Sequence, residues 1–135
     1  MEFLKQYEIL ITKAKEDFVA ANYLLDGYNN HNLELKLEII YFHLQQCAEK
    51  SIKSLLDFKN IKFPHTHDIE ELINILNENN IKISNGIEKL TDLTEFTVDG
   101  RYAVVHDDLD DAEKYIDILK QLALHVEKVI KEEEI

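Results

Sequence analysis

Residues that interrupt helices are scarce in this sequence, which has one proline and three glycines among 135 residues. Sheet-rich folds need turn residues every few positions, so this scarcity argues against them. Cys47 is the only cysteine, and because it has no partner for an internal disulfide it favours a reducing cytoplasm. No apolar run is long enough to cross a bilayer, and no leading apolar stretch has a basic flank. We therefore expect a cytoplasmic protein that does not associate with membranes.

Positive charge is also scarce. The formal net charge is −12, from 27 acidic residues against 15 lysines and arginines. Binding to a nucleic-acid backbone is driven by cations that displace counterions, so the chain as a whole repels nucleic acid. Any polyanion must meet a local basic surface. One stretch qualifies, from Lys50 to Lys62, because it holds four lysines and a single acid, Asp57.

Apolar residues make up 45% of the chain, and in several segments they recur every three or four positions, the spacing that lines one face of a helix. The length suits one domain, residues 1–135, with a single modest core. We therefore predict an all-α fold, an up-and-down bundle of four to five helices. The predicted helices run from near Glu2 to about Asn29, from about Leu33 to Phe58, from a capping-box pattern at Asp68 and Glu71 to about Asn77, from Asn85 to about Val98, and from Asp107 or Asp108 into the acidic C-terminal end.

Two of the predicted helices carry more apolar residues than one buried face needs. A second apolar edge on a small bundle often marks a partner surface. This pattern predicts a homodimer. The surplus residues are Ile40, Ile52 and Leu56 on the second helix, and Ile118 and Ile130 on the last one.

Three segments, taken together, resemble the HEPN family (higher eukaryotes and prokaryotes nucleotide-binding). The first is residues 42–56, where Gln45-Gln46 is followed by Ala48-Glu49-Lys50. The second is residues 64–72, with Thr66-His67-Asp68 ahead of a hydrophobic position and Leu72. The third ends in Arg101-Tyr102 ahead of the last helix. Their order also matches, and the resemblance spans roughly residues 10–128. It implies a HEPN-like helical bundle.

The resemblance implies a chemistry for Arg101 and His106. Many family members are toxin-type ribonucleases encoded beside a nucleotidyltransferase, and their signature is an arginine, four to six residues, then a histidine. Here four residues separate Arg101 from His106. In the family the two sit at a dimer cleft and cut RNA without a metal or cofactor. A guanidinium can hold the phosphate while an imidazole moves the proton of an attacking ribose 2′-hydroxyl.

The same resemblance places Gln46, Glu49 and Tyr102 at the nucleotide-binding or RNA-binding surface. Lys50 and Lys53 lie in the only basic stretch of the chain and are therefore candidate phosphate contacts. For Gln45, Gln46 and Glu49 the alternative is a solvated helix face. For Lys50 and Lys53 it is ordinary surface charge. His65 and His67 with one acid are too few ligands for a metal site, and we interpret them as a loop leading to a helix cap.

Other interpretations of the site stay open. Active relatives usually have a polar residue directly after the arginine, where this chain has Tyr102, and many relatives with Arg-Tyr lack the histidine. Some relatives are silenced by adenylation of a tyrosine at the position of Asp108. Arg101 could simply pair with a nearby aspartate, and His106 could pack beside Asp110. The alternative functions are a non-catalytic nucleotide-binding or adaptor module for a nucleotidyltransferase, and a scaffold dimer.

Overall fold

A computed structural model describes residues 4–35, 37–83, 86–96 and 110–133. These residues form four α-helices and one 3₁₀ helix, with no strand among them, so the predicted all-α fold is confirmed. None of these helices is both long and apolar enough to span a bilayer. In chain order the elements are α1 (Gln6–Asn30), α2 (Leu37–Phe58), α3 (Ile69–Glu78), the 3₁₀ segment (Ile87–Phe96) and α4 (Asp110–Glu133).

The first two helices begin later than the sequence pattern predicts. Residues 4 and 5 precede α1, and α2 begins at Leu37 instead of Leu33. Leu33 is excluded from α2 because its N–H donates to the carbonyl of Gly27, 3.0 Å away, and so completes the end of α1. Asn32, just before it, has a left-handed backbone with φ 53°.

The fourth predicted helix is a 3₁₀ helix. Its buried residues Ile87, Leu90, Leu93 and Phe96 are spaced by three positions throughout, which is the repeat of a 3₁₀ helix and not of an α-helix. Residues 97–109 lie outside the described residues, and so does the predicted start of the last helix at Asp107 or Asp108.

Left-handed asparagines end α2 and α3. Asn60 has φ 60° and Asn80 has φ 56°. In each case the N–H of the next residue donates a hydrogen bond to a carbonyl near the end of the helix. Ile61 N–H donates to Leu56 O at 2.9 Å, and Ile81 N–H donates to Leu76 O at 3.0 Å. Asparagine is one of the few residues with a side chain that visits this conformation routinely.

The central helix is α2, which packs against every other element. Ile40, Ile52 and Leu56 are therefore fully buried inside the chain, and the prediction that they form a surface edge is wrong. Ile118 and Ile130 on α4 are partly buried and pack on the same core. The surplus apolar residues consequently no longer support a homodimer.

Contacts along the helices fix their directions. The Ser54 hydroxyl donates to the carbonyl of Tyr7 at 2.9 Å, so the end of α2 meets the start of α1 and the two helices are antiparallel. The other long helix, α4, follows α2 in the same direction, since Lys59 meets Glu133 at 2.8 Å. The link from 59 to 68 returns along α2 to its middle, where α3 begins.

Candidate functional site

A row of polar side chains lies buried on α2. Gln45, Glu49 and Lys53 follow one another at intervals of one helical turn, and Gln46 adjoins them. All four are less than a tenth exposed, so the interpretation of Gln45, Gln46 and Glu49 as a solvated face is wrong. Burying charged and amide groups is costly unless each finds a partner.

The carboxylate of Glu49 is the centre of this row. Gln45 Nε2 donates to Glu49 Oε1 at 3.0 Å, and Lys53 Nζ donates to Glu49 Oε2 at 3.1 Å. Gln46 Nε2 in turn donates to Gln45 Oε1 at 2.6 Å. Both carboxylate oxygens therefore have donors from the same helix.

His67 completes the arrangement from the link before α3. Its Nδ1 lies 2.9 Å from Glu49 Oε1, and its carbonyl accepts a 3.3 Å hydrogen bond from Gln45 Nε2. The His67 side chain is 46% exposed, whereas that of Glu49 is 6% exposed. One side of the imidazole thus rests on a buried carboxylate while the ring still reaches solvent. We call Gln45, Gln46, Glu49, Lys53 and His67 the Glu49 cluster.

The backbone on both sides of His67 is held in place. Thr66 Oγ1 accepts from the Asp68 N–H at 3.0 Å, and the Asp68 side chain caps α3 by accepting from the Glu70 N–H at 3.0 Å, as the sequence predicts for this residue. One residue further on, the Ile69 N–H donates to Thr94 Oγ1 at 3.2 Å. The 3₁₀ segment therefore also anchors this corner.

Burial alone would raise the pKa of the Glu49 carboxyl, because it penalises the charged form. Hydrogen bonds from Gln45 and His67, together with the Lys53 ammonium, outweigh burial and hold the pKa of Glu49 below its usual value. Glu49 is thus a carboxylate at neutral pH, and its charge is balanced by Lys53.

A second charged cluster joins α1 to α2. Lys50 Nζ donates to Asp17 Oδ2 at 2.7 Å, and His43 Nδ1 lies 3.0 Å from Asp17 Oδ1. The predicted binding residues are therefore divided between two places: Gln46, Glu49 and Lys53 lie together, while Lys50 faces α1. Both lysines that the sequence suggested as phosphate contacts have a carboxylate partner.

Arg101, Tyr102 and His106 lie outside the described residues. The described chain stops at Phe96, whose ring stacks on Tyr41 with centroids 4.9 Å apart, and resumes at Asp110. Tyr115, in the second turn of α4, meets the same Tyr41 ring at 6.2 Å. Tyr41 is one turn before Gln45, so Phe96 and Tyr115, described residues on either side of this gap, both contact the half of α2 that leads into the Glu49 cluster.

Metal ligands are not grouped in the described part of the chain, where no three His, Cys, Asp or Glu side chains could hold an ion together. The rings of His65 and His67 are 6.1 Å apart and meet edge to face. Sequence reasoning missed the contact between His67 and Glu49. The only signal for it was the Thr66-His67-Asp68 motif, which we interpreted as a loop and a cap.

Comparison with known proteins agrees with this architecture. Residues 7–129 match the sequence model of the HEPN domain. Among solved structures, the chain is similar to the crystal structure of an archaeal HEPN homologue, with 25% sequence identity and a TM-score of 0.56. That alignment covers 96% of this chain and 98% of the other. None of the proteins with curated descriptions matches the sequence. The region matched by the HEPN model includes the whole Glu49 cluster.

Proposed function

The chain belongs to the HEPN domain family, and we propose that it is a toxin-type, metal-independent endoribonuclease. In this proposal it works in the cytoplasm as a homodimer, and a nucleotidyltransferase is its antitoxin partner. The observation that supports the proposal best is the Glu49 cluster, a hydrogen-bonded set of charged and amide side chains most of which are buried on the central helix. Such clusters concentrate at functional sites, although structural ion pairs also occur.

The proposed catalytic pair is Arg101 and His106. The guanidinium would hold the scissile phosphate in a two-pronged hydrogen bond and balance its growing charge. The imidazole would transfer a proton near neutral pH. Arg101 is the only arginine in the chain, so no other residue can supply a guanidinium. No cofactor enters this chemistry.

The proposed RNA or nucleotide contacts are Gln46, Glu49, Lys50, Lys53 and Tyr102. An ammonium has three N–H donors, so Lys50 and Lys53 can each keep a carboxylate partner and still meet a phosphate. Lys50→Ala or Lys53→Ala should weaken RNA binding and flatten its dependence on salt, because fewer counterions are released. Lys120, which is exposed on α4, provides a matched control lysine.

A second candidate function is a non-catalytic nucleotide-binding or adaptor module for the nucleotidyltransferase. The pairing of both lysines with buried or half-buried acids favours it, since their charge is already compensated within the chain. Strong attraction to an RNA backbone is not expected from a compensated surface on a protein of net charge −12.

Cleavage and toxicity distinguish the two functions. Purified protein should cut RNA from a broad panel in the presence of a chelator, and its expression alone should inhibit growth unless the nucleotidyltransferase is co-expressed. Arg101→Ala and His106→Ala should abolish both effects with an unchanged circular dichroism spectrum. His31→Ala is the control, because His31 is an exposed histidine at the end of α1. Wild-type protein that cuts nothing and is harmless would favour the adaptor.

The single arginine allows a chemical version of this test. An α-dicarbonyl reagent modifies guanidinium groups. The loss of activity should parallel this modification and should be complete when one residue per chain has reacted. Arg101→Lys should be resistant to the reagent and should retain only part of the activity, because lysine lacks the forked donor geometry. Full activity after complete modification would remove Arg101 from the site.

The proposed homodimer is tested by sedimentation at micromolar concentration, which should give twice the chain mass of 15.8 kDa. Large apolar side chains exposed on α1 and α4, such as Val19, Tyr23 and Leu124, are available to a partner chain. A monomer under these conditions would exclude an active site shared between two chains.

A further inference from the structure

The ends of α2 and α3 and the second half of α4 surround a cavity of about 380 Å³. Lys59 lines it from the end of α2, Lys82 from the chain just after α3, and His125 from α4. Asn79 and Asn80 also line the cavity, and its other lining residues are apolar. The described residues around this space therefore supply cations and amides but no acid. We call it the Lys59 cavity.

The lysines of this cavity are not needed to complete the ends of the two helices. Lysines near a helix C-terminus often bond the last carbonyls. Here the carbonyls of residues 55–57 accept from the N–H groups of residues 59–61 at 2.9–3.1 Å. The carbonyls of residues 75–77 accept from the N–H groups of residues 79–81 at 3.0–3.2 Å. Backbone groups thus already satisfy both helix ends, and the ammonium groups are left for other contacts.

The two lysines are also less compensated than Lys50 and Lys53. Lys59 meets Glu133 at 2.8 Å, but the Glu133 side chain is 48% exposed, and exposed ion pairs contribute little free energy. Lys82 is exposed, and it forms no ion pair within the described part of the chain. Both ammonium groups are therefore available to an anion that enters the cavity.

We propose that the Lys59 cavity binds a phosphate group, carried either by a free phosphorylated compound or by the backbone of single-stranded RNA. Lys59 and Lys82 donate charge-assisted hydrogen bonds to the phosphate oxygens. The imidazole of His125 adds a further donor, because one ring nitrogen carries a hydrogen in either neutral tautomer. The net charge of −12 gives no general attraction for an anion, so binding depends on these local contacts.

This inference goes beyond the proposed endoribonuclease and does not depend on it. None of the cavity residues belongs to the proposed catalytic pair or to the proposed RNA contacts. Lys59 lies in the basic stretch 50–62, the part of the sequence that a polyanion is expected to meet. The structure divides this stretch, because Lys50 and Lys53 contact acids within the bundle whereas Lys59 lines a cavity that is open to solvent.

The experiment measures the binding of two probes to the purified chain by calorimetry. One probe is pyrophosphate, and the other is a single-stranded RNA with 2′-O-methyl riboses, which the proposed cleavage chemistry cannot cut. Lys59→Gln and Lys82→Gln should each weaken binding about fivefold, the effect of losing one partly exposed charge contact. Lys120→Gln, at an exposed position of α4, is the control and should bind like the wild type.

A fourth variant separates phosphate binding from a purely structural role of Lys59. Glu133→Gln removes the carboxylate that competes for this ammonium, so it should strengthen binding of the probe. A lysine that served only to hold Glu133 would give no such gain. Circular dichroism spectra of all the variants should match that of the wild type, because the substituted side chains are exposed or only partly buried.

The two probes distinguish the sources of the phosphate. Binding of pyrophosphate shows that a free compound is sufficient. Binding of the RNA alone shows that the polymer is needed, and its salt dependence should then fall by about 0.7 in slope for each lysine removed. The inference is overturned if neither probe binds at millimolar concentration, or if both lysine variants bind like the wild type. Either result leaves the proposed function intact, since cleavage is measured separately with unmodified RNA.

Discussion

Nδ1 of His67 lies 2.9 Å from the buried carboxylate of Glu49, although 18 residues separate the two in the chain. The contact fixes the end of the 59–68 link to the middle of α2. It also brings the start of α3 to the same place, because Asp68, the next residue, caps that helix. One hydrogen bond therefore joins the central helix, the link and α3 at the Glu49 cluster.

The first prediction concerns acid stability. Because the pKa of Glu49 is lower in the folded chain than its ordinary value, the stability it contributes is complete above about pH 4.3, the unfolded pKa of glutamate, and is lost as the pH falls through the folded pKa. Glu49→Gln should lower the free energy of unfolding by about 1–3 kcal/mol at pH 7. The difference in the free energy of unfolding between the wild type and Glu49→Gln, measured by urea unfolding, should be smaller at pH 3 than at pH 7. Glu113→Gln, at an exposed position of α4, is the control. A loss of stability in Glu49→Gln that is the same at both pH values would contradict the assignment of Glu49 as a stabilising carboxylate.

The second prediction concerns Cys47, which is buried where α1 packs on α2. Burial raises the pKa of its thiol to about 12, so almost none of it is thiolate at pH 8, and the thiolate is the reactive form. A thiol-specific reagent should label folded protein very slowly and denatured protein at once, with one group per chain. Rapid labelling of the folded chain would show that Cys47 is accessible.

The third prediction concerns the end of α3. Asn80 has φ 56°, a conformation that costs a residue with a β-carbon about 1–2 kcal/mol, while glycine adopts it freely. Asn80→Ala should therefore lower the free energy of unfolding by about 1 kcal/mol, whereas Asn80→Gly should leave it nearly unchanged. Thermal unfolding of the two variants compares the stability that alanine and glycine give at the same position. Equal losses would mean that the asparagine side chain, not its backbone, holds this turn.

Some of the fold could be predicted from the sequence because helical spacing is a local property. The apolar residues of α1 and α4, and the cap at Asp68, were found in this way. Ile40, Ile52 and Leu56 were misplaced because a stripe pattern assumes one buried face, whereas α2 is surrounded by all the other elements. The 3₁₀ segment was predicted as an ordinary helix, since a spacing of three also occurs on one face of an α-helix.

Less of the candidate site than of the fold could be predicted from the sequence. Gln46 and Glu49 were predicted from the family resemblance and Lys53 from the basic stretch, whereas their burial and mutual hydrogen bonds followed only from the structure. The contact of His67 with Glu49 depends on the path of the 59–68 link, which no local pattern specifies. The Asp17 partner of Lys50 is 33 residues away on another helix, and it was missed for the same reason.

The proposed function implies RNA cleavage without a metal, through attack by the ribose 2′-hydroxyl. The most direct measurement is to incubate the purified protein with a defined RNA in excess chelator and to analyse both ends of each product. We predict 2′,3′-cyclic phosphate and 5′-hydroxyl ends, and no cutting of the same RNA when every ribose carries a 2′-O-methyl group. Products with 3′-hydroxyl and 5′-phosphate ends, or activity that the chelator abolishes, would contradict it.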